Sequence, residues 1–208
     1  MSMNAHITIT APIHLAAGDD KSRYSLDSVS FETSPTAGKD KVLAVSTNGR
    51  MLAVLPCDCQ GDTDGLPARY KGAFVRDAWT ATPQRKGARS AGITLNGKAS
   101  YIGNSGAVVS SDPVEGSFPP WKDVIPDISG GTVVTFNARL LADLAKSIGA
   151  ENDVVTVVVP ENRKKPMMVL PAGESGGFGV LMPCVSPEGD QLSKRTKLAE
   201  ALRKEGSR

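Results

Sequence analysis

Two alternating apolar runs, 42–47 and 51–55, meet at Asn48-Gly49, and this arrangement constrains the fold more than any other feature of the chain. Alternation of apolar and small or polar residues is typical of β-strands that are buried on one face. Asn-Gly favours a tight type I′ turn because both residues tolerate positive φ. The sequence therefore predicts an antiparallel hairpin over residues 42–55.

Composition sets the class of protein. The 208 residues can bury a sizeable core in one large or two small domains. With 40% hydrophobic and 22% charged residues, the chain resembles an ordinary globular protein. No apolar run approaches the ~20 residues of a membrane span, and the polar start lacks a secretory pattern. The odd cysteine count, from Cys57, Cys59 and Cys184, fits reduced thiols. We therefore expect a cytoplasmic protein without a membrane partner.

Three related units of strands and a helical stretch recur at roughly sixty-residue intervals. The first, from His6 to Cys59, has a strand at 7–9, a weak helical segment at 11–17, a strand at 25–32 and the hairpin. A turn-forming segment at 62–67 follows it.

The second unit begins near Ala68. It predicts a short strand at 72–75, a short helix at 76–82, and strands at 92–95, 99–103 and 107–111, with a second hairpin signal at Asn96-Gly97. The segment 113–127 is a proline-rich linker, because prolines cannot donate hydrogen bonds to a sheet.

The third unit has the clearest signals. It predicts a strand at 132–136, an N-cap at Asn137, a helix over 138–148 that ends at Gly149, and strands at 154–159, 167–170 and 177–182. One face of the helix carries the apolar residues Leu140, Leu141, Leu144 and Ile148. Residues 191–204 predict a charged, mobile helix.

These patterns predict an α+β fold in which helices pack on antiparallel sheet. The expected organisation is a domain of two units over residues 1–127, a half domain over 128–185 and a charged tail over 186–208.

Several segments together resemble the bacterial sliding clamp, the beta subunit of the replicative DNA polymerase. They are the hairpin, the connector Glu115-Gly-Ser-Phe-Pro-Pro-Trp-Lys-Asp-Val-Ile-Pro126, the helix 137–144 and the final strand Phe178-Gly-Val-Leu-Met-Pro183. Their order along the chain is that of the family. The resemblance implies a DNA-clamp fold in a shortened version, which lacks counterparts of the family's first domain and of half its third. A half domain exposes a sheet edge, so we expect a homo-oligomer, with a ring favoured over an open filament.

The resemblance also implies a pocket for short peptides of polymerases and other replication proteins. Its residues would be Thr47, Gly49, Arg50, Met51 and Leu52 from the hairpin, Pro119 and Val124 from the connector, and Val180, Leu181, Met182 and Pro183 from the last strand. Apolar side chains and an adaptable methionine suit such a trough. Without the resemblance, the pattern favours reading these residues simply as the ends of core strands.

Duplex DNA is the second partner that the resemblance implies, held without sequence specificity. Candidate contacts are Arg76, Arg85, Lys86, Arg89, Arg139 and Lys146. Each is also consistent with a solvated helix face, and the net charge of +2 alone predicts no nucleic-acid binding. The basic residues of the tail fit either a nonspecific DNA arm or a solubilising segment.

An enzyme, a metal site or a cofactor finds little support in the sequence. His6 and His14 are the only histidines, and Cys57-x-Cys59 has no second pair with which to hold zinc. The glycines at 173–177 lack the spacing of a phosphate loop and predict a hairpin loop. Two functions remain: a sliding clamp that tethers a polymerase to DNA, or an adaptor that binds the same peptides without encircling DNA.

Overall fold

The computed structural model describes residues 4–18, 26–38, 40–84, 89–127, 134–150, 154–162, 164–172, 177–184 and 189–206. The chain divides into two units, of which unit 1 comprises residues 1–126 and 198–208 and unit 2 comprises residues 127–197. Each unit has its own antiparallel sheet and its own apolar core.

Unit 1 contains an eight-stranded sheet in the order β5-β2-β3-β4-β1-β6-β7-β8. Its strands are β1 (Asn4–Ile9), β2 (Ser28–Thr33), β3 (Lys41–Thr47), β4 (Leu52–Asp62), β5 (Ala68–Lys71), β6 (Ala91–Asn96), β7 (Lys98–Ile102) and β8 (Val108–Ser111). The strands predicted at 92–95, 99–103 and 107–111 are confirmed, as is the hairpin at Asn96-Gly97, in which Asn96 lies opposite Lys98.

Both faces of this sheet are apolar near β3. Val42 and Ala44 belong to the main core, whereas Leu43 and Val45 belong to a second cluster. Since successive side chains of a strand point to opposite faces, the two clusters lie on opposite sides of the sheet. A helical layer covers the main core, and the end of the C-terminal helix together with the connector covers the second cluster.

The layer over the main core is α1 (Gly72–Ala81) together with a 3-10 turn at Ile13–Ala16. The strand predicted at 72–75 is wrong, because these residues form the first turn of α1. Phe74, Val75 and Ala78 are buried against the sheet, so tertiary burial outweighs the strand propensity of an aromatic and a β-branched residue. The weak helical signal at 11–17 produces only the 3-10 turn.

The hairpin at Asn48-Gly49 forms, but its turn is not the tight type predicted. Thr47 pairs with Leu52, which leaves four residues in the loop. The side-chain oxygen of Asn48 accepts hydrogen bonds from the backbone N–H groups of Arg50 and Met51, at 2.9 and 3.0 Å. Asn48 therefore satisfies backbone donors in the wider loop, in the manner of an Asx turn.

Unit 2 has a three-stranded sheet in the order β11-β10-β9, formed by β9 (Val155–Val158), β10 (Met167–Pro171) and β11 (Gly179–Leu181). The helix α2 (Ala138–Ser147) packs on it closely enough that a Cβ on Gly179 would lie 2.7 Å from Cγ of Leu144. The predicted cap is confirmed, since the Asn137 side chain accepts from the N–H groups of Arg139 and Leu140.

Two expectations for unit 2 are corrected. Leu140 is 53% exposed, whereas Leu141, Leu144 and Ile148 pack partly buried on the core of unit 2 and Ala145 is buried. Residues 134–136 are outside the strands, although the carbonyl of Thr135 accepts a hydrogen bond from the N–H of Cys184 at 2.7 Å. Residues 132 and 133 and the glycine loop at 173–176 lie outside the described residues.

The C-terminal helix is α3 (Gly189–Gly206). From Leu198 onward it belongs to unit 1, where Leu198 and Leu202 complete the second cluster with Leu43 and Val45. Leu202 is only 2% exposed. The last two turns of the helix are therefore packed on the sheet rather than mobile.

Candidate functional site

The hairpin loop and the connector line one pocket of about 530 Å³ in unit 1. The residues around it are largely apolar or uncharged: Leu26, Thr47, Gly49, Arg50, Met51, Leu52, Pro119, Pro120, Trp121, Asp123 and Val124. The hairpin and connector residues expected from the sequence are all among them.

Local hydrogen bonds fix the hairpin side of the pocket. The hydroxyl of Thr47 donates to the carbonyl of Met51 at 2.7 Å and accepts from the N–H of Gly49 at 3.1 Å. Gly49 has a φ of +83°, a conformation that side-chain-bearing residues rarely adopt. The loop thus holds Met51 with half of its surface, 51%, exposed.

A buried tryptophan fixes the connector side. Residues Trp121–Val124 form a 3-10 turn, and Trp121 is 4% exposed. Its indole N–H lies 3.1 and 3.2 Å from the two carboxylate oxygens of Glu32, which accept its hydrogen bond. Val124, three residues later, is 66% exposed at the pocket. The connector therefore presents an apolar side chain from an anchored turn.

Charge is confined to the edge of the pocket. Arg50 and Asp123 are both exposed and carry opposite charges, whereas the remaining lining residues are uncharged. An arrangement of apolar walls with a few polar groups at the edge suits an apolar side chain on a polar backbone, which is the chemistry of a short peptide.

The residues predicted from the final strand lie in unit 2. Val180 and Met182 are 54% and 61% exposed, whereas Leu181 is 5% exposed in the core with Met167 and Val169. Strand alternation accounts for the difference. Pro183 follows the strand and is half-buried.

Sequence reasoning missed four of the lining residues, namely Leu26, Pro120, Trp121 and Asp123. The signal for three of them was present, because the connector run 118–124 contains an aromatic residue after two prolines. Leu26 lies two residues before β2, and no periodicity or spacing in the sequence predicts that it lines the same pocket as the hairpin loop.

The predicted DNA contacts occupy different environments. Arg139 and Lys146 are exposed on α2. Arg76, on α1, pairs with Asp77 at 3.0 Å, and the guanidinium of Arg89 lies 5.6 Å from the ring centroid of Trp79. Arg85 and Lys86 lie outside the described residues. Arg76 and Arg89 are thus already engaged within the protein.

Arg76 also lines a polar cavity of about 450 Å³ with His14, Asp27 and Lys71. Partial burial and the neighbouring Arg76 charge lower the pKa of His14, against the opposing effect of Asp77. His14 and Lys71 are basic residues next to Arg76 that sequence reasoning did not select. The side chains that line this cavity thus include both positively and negatively charged groups.

The described residues contain no group of three or more His, Cys, Asp or Glu side chains placed to hold a metal ion. No described helix is long and apolar enough to cross a membrane. Cys57, Cys59 and Cys184 are free thiols, and burial raises the pKa of Cys57 to about 12. Cys57, which is fully buried, is therefore part of the main core.

No protein-family model and no curated protein sequence matches this chain. Solved structures do match. The DNA polymerase sliding clamp from Caulobacter crescentus has a TM-score of 0.59 at 16% identity, covering 89% of this chain and 52% of its own. The sliding clamp from Pseudomonas aeruginosa has a TM-score of 0.57 at 15% identity, covering 87% and 52%.

Another structure of the C. crescentus beta sliding clamp matches with a TM-score of 0.52 at 14% identity, covering 87% of this chain and 66% of its own. The chain thus spans between about half and two thirds of the length of these clamps. It is an α+β protein built from helices packed on antiparallel sheet. Its fold is that of the bacterial DNA polymerase III beta sliding clamps.

Proposed function

We propose that this chain is a sliding-clamp-type processivity factor, which binds short peptide motifs of a DNA polymerase or other replication proteins and tethers them to duplex DNA. The observation that carries the proposal is the convergence of the hairpin loop and the connector on one apolar pocket, within a sliding-clamp fold. Tethering would act by raising the concentration of the bound factor at its template.

The chemistry of the pocket supports peptide binding. Met51 and Val124 present exposed apolar surface, and burial of such surface by a ligand is the main source of affinity in peptide grooves. Methionine adapts to ligand side chains of different shapes. The roles of Val180, Leu181, Met182 and Pro183 remain predictions from the resemblance, and the burial of Leu181 favours its neighbours Val180 and Met182.

A peptide titration tests the pocket. The probe is a fluorescein-labelled hexapeptide with two leucines and one phenylalanine, followed by fluorescence polarisation. Each of Met51→Ala and Val124→Ala removes apolar contact worth about 1 kcal/mol, so each should weaken binding by about five-fold. Because both side chains are exposed, neither substitution should change the thermal unfolding temperature appreciably.

Val108→Ala is the matched control for Val124→Ala. Val108 is 71% exposed but lies on β8, away from the lining of the pocket. The Val108→Ala variant should bind the hexapeptide with the same affinity as the unmodified protein. Equal affinities for all variants would contradict the pocket, as would equally strong binding of a hexapeptide with serine at the three apolar positions.

DNA contact is proposed for the exposed residues Arg139 and Lys146 of α2. Long basic side chains that reach phosphates through solvent allow a duplex to slide, because such contacts do not depend on sequence. In this proposal several copies of the chain close around the duplex as a homo-oligomer. The ion pair of Arg76 with Asp77 makes Arg76 a weaker candidate than the two residues of α2.

The adaptor that does not encircle DNA is the second candidate. It is favoured by the internal engagement of Arg76 with Asp77 and of Arg89 with Trp79. An adaptor would bind the hexapeptide as a monomer and would show no topological retention on DNA. The assembled mass separates the two candidates.

A further inference from the structure

We propose that the last two turns of α3 position the connector wall of the peptide pocket. In this role Glu205 and Leu202 act through Trp121 and Lys122 and do not touch the peptide. The inference rests on the proposed peptide binding at that pocket, and it assigns a function to a helix that the sequence described only as a charged tail.

Glu205 forms a dense polar contact between α3 and two other segments of unit 1. Its carboxylate accepts from Nζ of Lys122 at 2.8 Å and from the hydroxyl of Ser34 at 3.0 and 3.1 Å. The N–H of Thr36 donates to it at 3.3 Å, and the hydroxyl of Thr36 donates as well. One carboxylate therefore links the turn at 35–37 to the connector.

The electrostatics of Glu205 match this role. Burial on its own would raise the pKa, but the hydrogen bonds from Lys122, Thr36 and Ser34 and the charge of Lys122 together lower it to about 2. The two side chains are about three-quarters buried, since 27% of Lys122 and 22% of Glu205 is exposed to water. The contact is thus screened less than a surface ion pair.

Leu202 provides the apolar part of the contact. It is 2% exposed and packs in one cluster with Leu43, Val45 and Trp121. The end of the helix also approaches the connector closely, because a Cβ on Gly206 would lie 2.6 Å from Cβ of Lys122. Leu202 and Glu205 of α3 therefore contact two adjacent residues of the connector, Trp121 and Lys122.

The connector turn lies between α3 and the pocket. Trp121 and Asp123 line the pocket, while Trp121 also packs on Leu202 and Lys122 binds Glu205. A four-residue 3-10 turn has little stability of its own and depends on the tertiary contacts around it. Without α3 the wall would sample several conformations, and a peptide would have to order it on binding.

The test uses the full chain with Trp79→Phe, which leaves Trp121 as its only tryptophan. In that background, Glu205→Ala and Leu202→Ala should shift the emission of Trp121 to longer wavelength, because the indole gains contact with water. Both should weaken binding of the labelled hexapeptide by five-fold or more. Glu205→Gln, which keeps an acceptor for Ser34 and Thr36, should give a smaller loss.

Lys204→Ala is the matched control, since Lys204 is exposed on the same turn of α3. It should change neither the emission nor the affinity. Far-ultraviolet circular dichroism and thermal unfolding establish that each variant is folded. If Leu202→Ala does not fold, Lys122→Gln tests the same contact from the connector side, with the same expected shift and loss.

The outcomes separate this inference from the proposed function. Folded Glu205→Ala protein with unchanged Trp121 emission overturns the positioning role, whether or not a peptide binds. A shifted emission with unchanged hexapeptide affinity overturns it as well, because the connector would then move without consequence. If the unmodified protein binds no hexapeptide, the proposed function fails, and the emission alone decides whether α3 holds the connector.

Discussion

Trp121 depends on Glu32 for its place in the fold. A buried indole N–H needs an acceptor, and the Glu32 carboxylate supplies one while also accepting from the hydroxyl of Ser30 at 2.8 Å. The aromatic ring packs on one cluster while its polar edge faces the carboxylate. A single side chain thus joins the connector to β2 by a polar contact and to Leu43 and Val45 of β3 by apolar packing.

Residue-scale electrostatics predict a pH-dependent stability for Glu205. Its folded-state pKa, about 2, lies below the ordinary value of 4.5. The stabilisation from its hydrogen bonds is therefore complete above the unfolded-state pKa and is lost as the pH falls through the folded-state pKa. We expect Glu205→Gln to lower the free energy of unfolding by about 1–3 kcal/mol at about pH 6 and by much less at about pH 2.5.

Urea unfolding followed by circular dichroism measures this difference at both pH values. Glu200→Gln, on the same helix, is the control and should show no comparable change between them. A Glu205→Gln deficit that is the same at both pH values would mean that the native contacts do not depend on the charge of the carboxylate.

At the scale of secondary structure, the hairpin loop predicts a measurable role for Asn48. Its side chain satisfies two backbone N–H groups, so Asn48→Ala should destabilise unit 1 by about 1–2 kcal/mol. Because the loop also carries Met51, affinity for the hexapeptide should fall as well. Asn104→Ala, in the exposed turn before β8, is the control.

Denaturant unfolding and the polarisation titration read out the two effects separately. Should Asn48→Ala match the control in both, the hydrogen bonds of the Asn48 side chain would contribute nothing to the loop. Loss of stability without loss of affinity would limit their effect to the fold.

Elements with local signals are the ones that sequence predicts well. Asn137 and Gly149 mark the ends of α2, alternation identifies β6, and short apolar runs identify β9 and β10, because caps, periodicity and apolar runs act within a few residues. Local signals do not predict the first turn of α1 correctly. Its apolar residues suit either a strand or a helix, and packing against the main core decides between the two. The predicted burial of Leu140 is wrong for the same reason, since the facing sheet determines how many residues of α2 are covered.

Across the chain, the sequence likewise predicts one part of the candidate site and misses another. Sequence motifs identify the hairpin and the connector, but their convergence with Leu26 depends on contacts between distant segments. The docking of α3 is the least predictable part. Leu198 and Leu202, four residues apart on a charged helix, are a weak apolar stripe, and the surface that they cover is about 150 residues away in sequence.

The edges of the large sheet bear on assembly. In the part of the chain that the structure describes, β8 has no strand on its outer side, and Val108 and the nearby Ile102 are 71% and 73% exposed. An exposed apolar edge of this kind favours pairing with another chain. Self-association of the chain is consistent with this edge, and closed symmetry would remove it.

Assembly and DNA retention form one prediction for the complete molecule. Light scattering should give a mass several times that of the 21.8 kDa chain. The oligomer should stay on nicked circular DNA through gel filtration and leave the same DNA after linearisation, because a ring holds a duplex topologically. Arg139→Glu with Lys146→Glu should reduce retention at low salt and leave hexapeptide affinity unchanged, since no residue of α2 lines the pocket. Lys164→Glu with Lys165→Glu, an equal charge change outside α2, is the control. A monomer that binds the hexapeptide and elutes apart from circular DNA would favour the adaptor, and the clamp would be excluded.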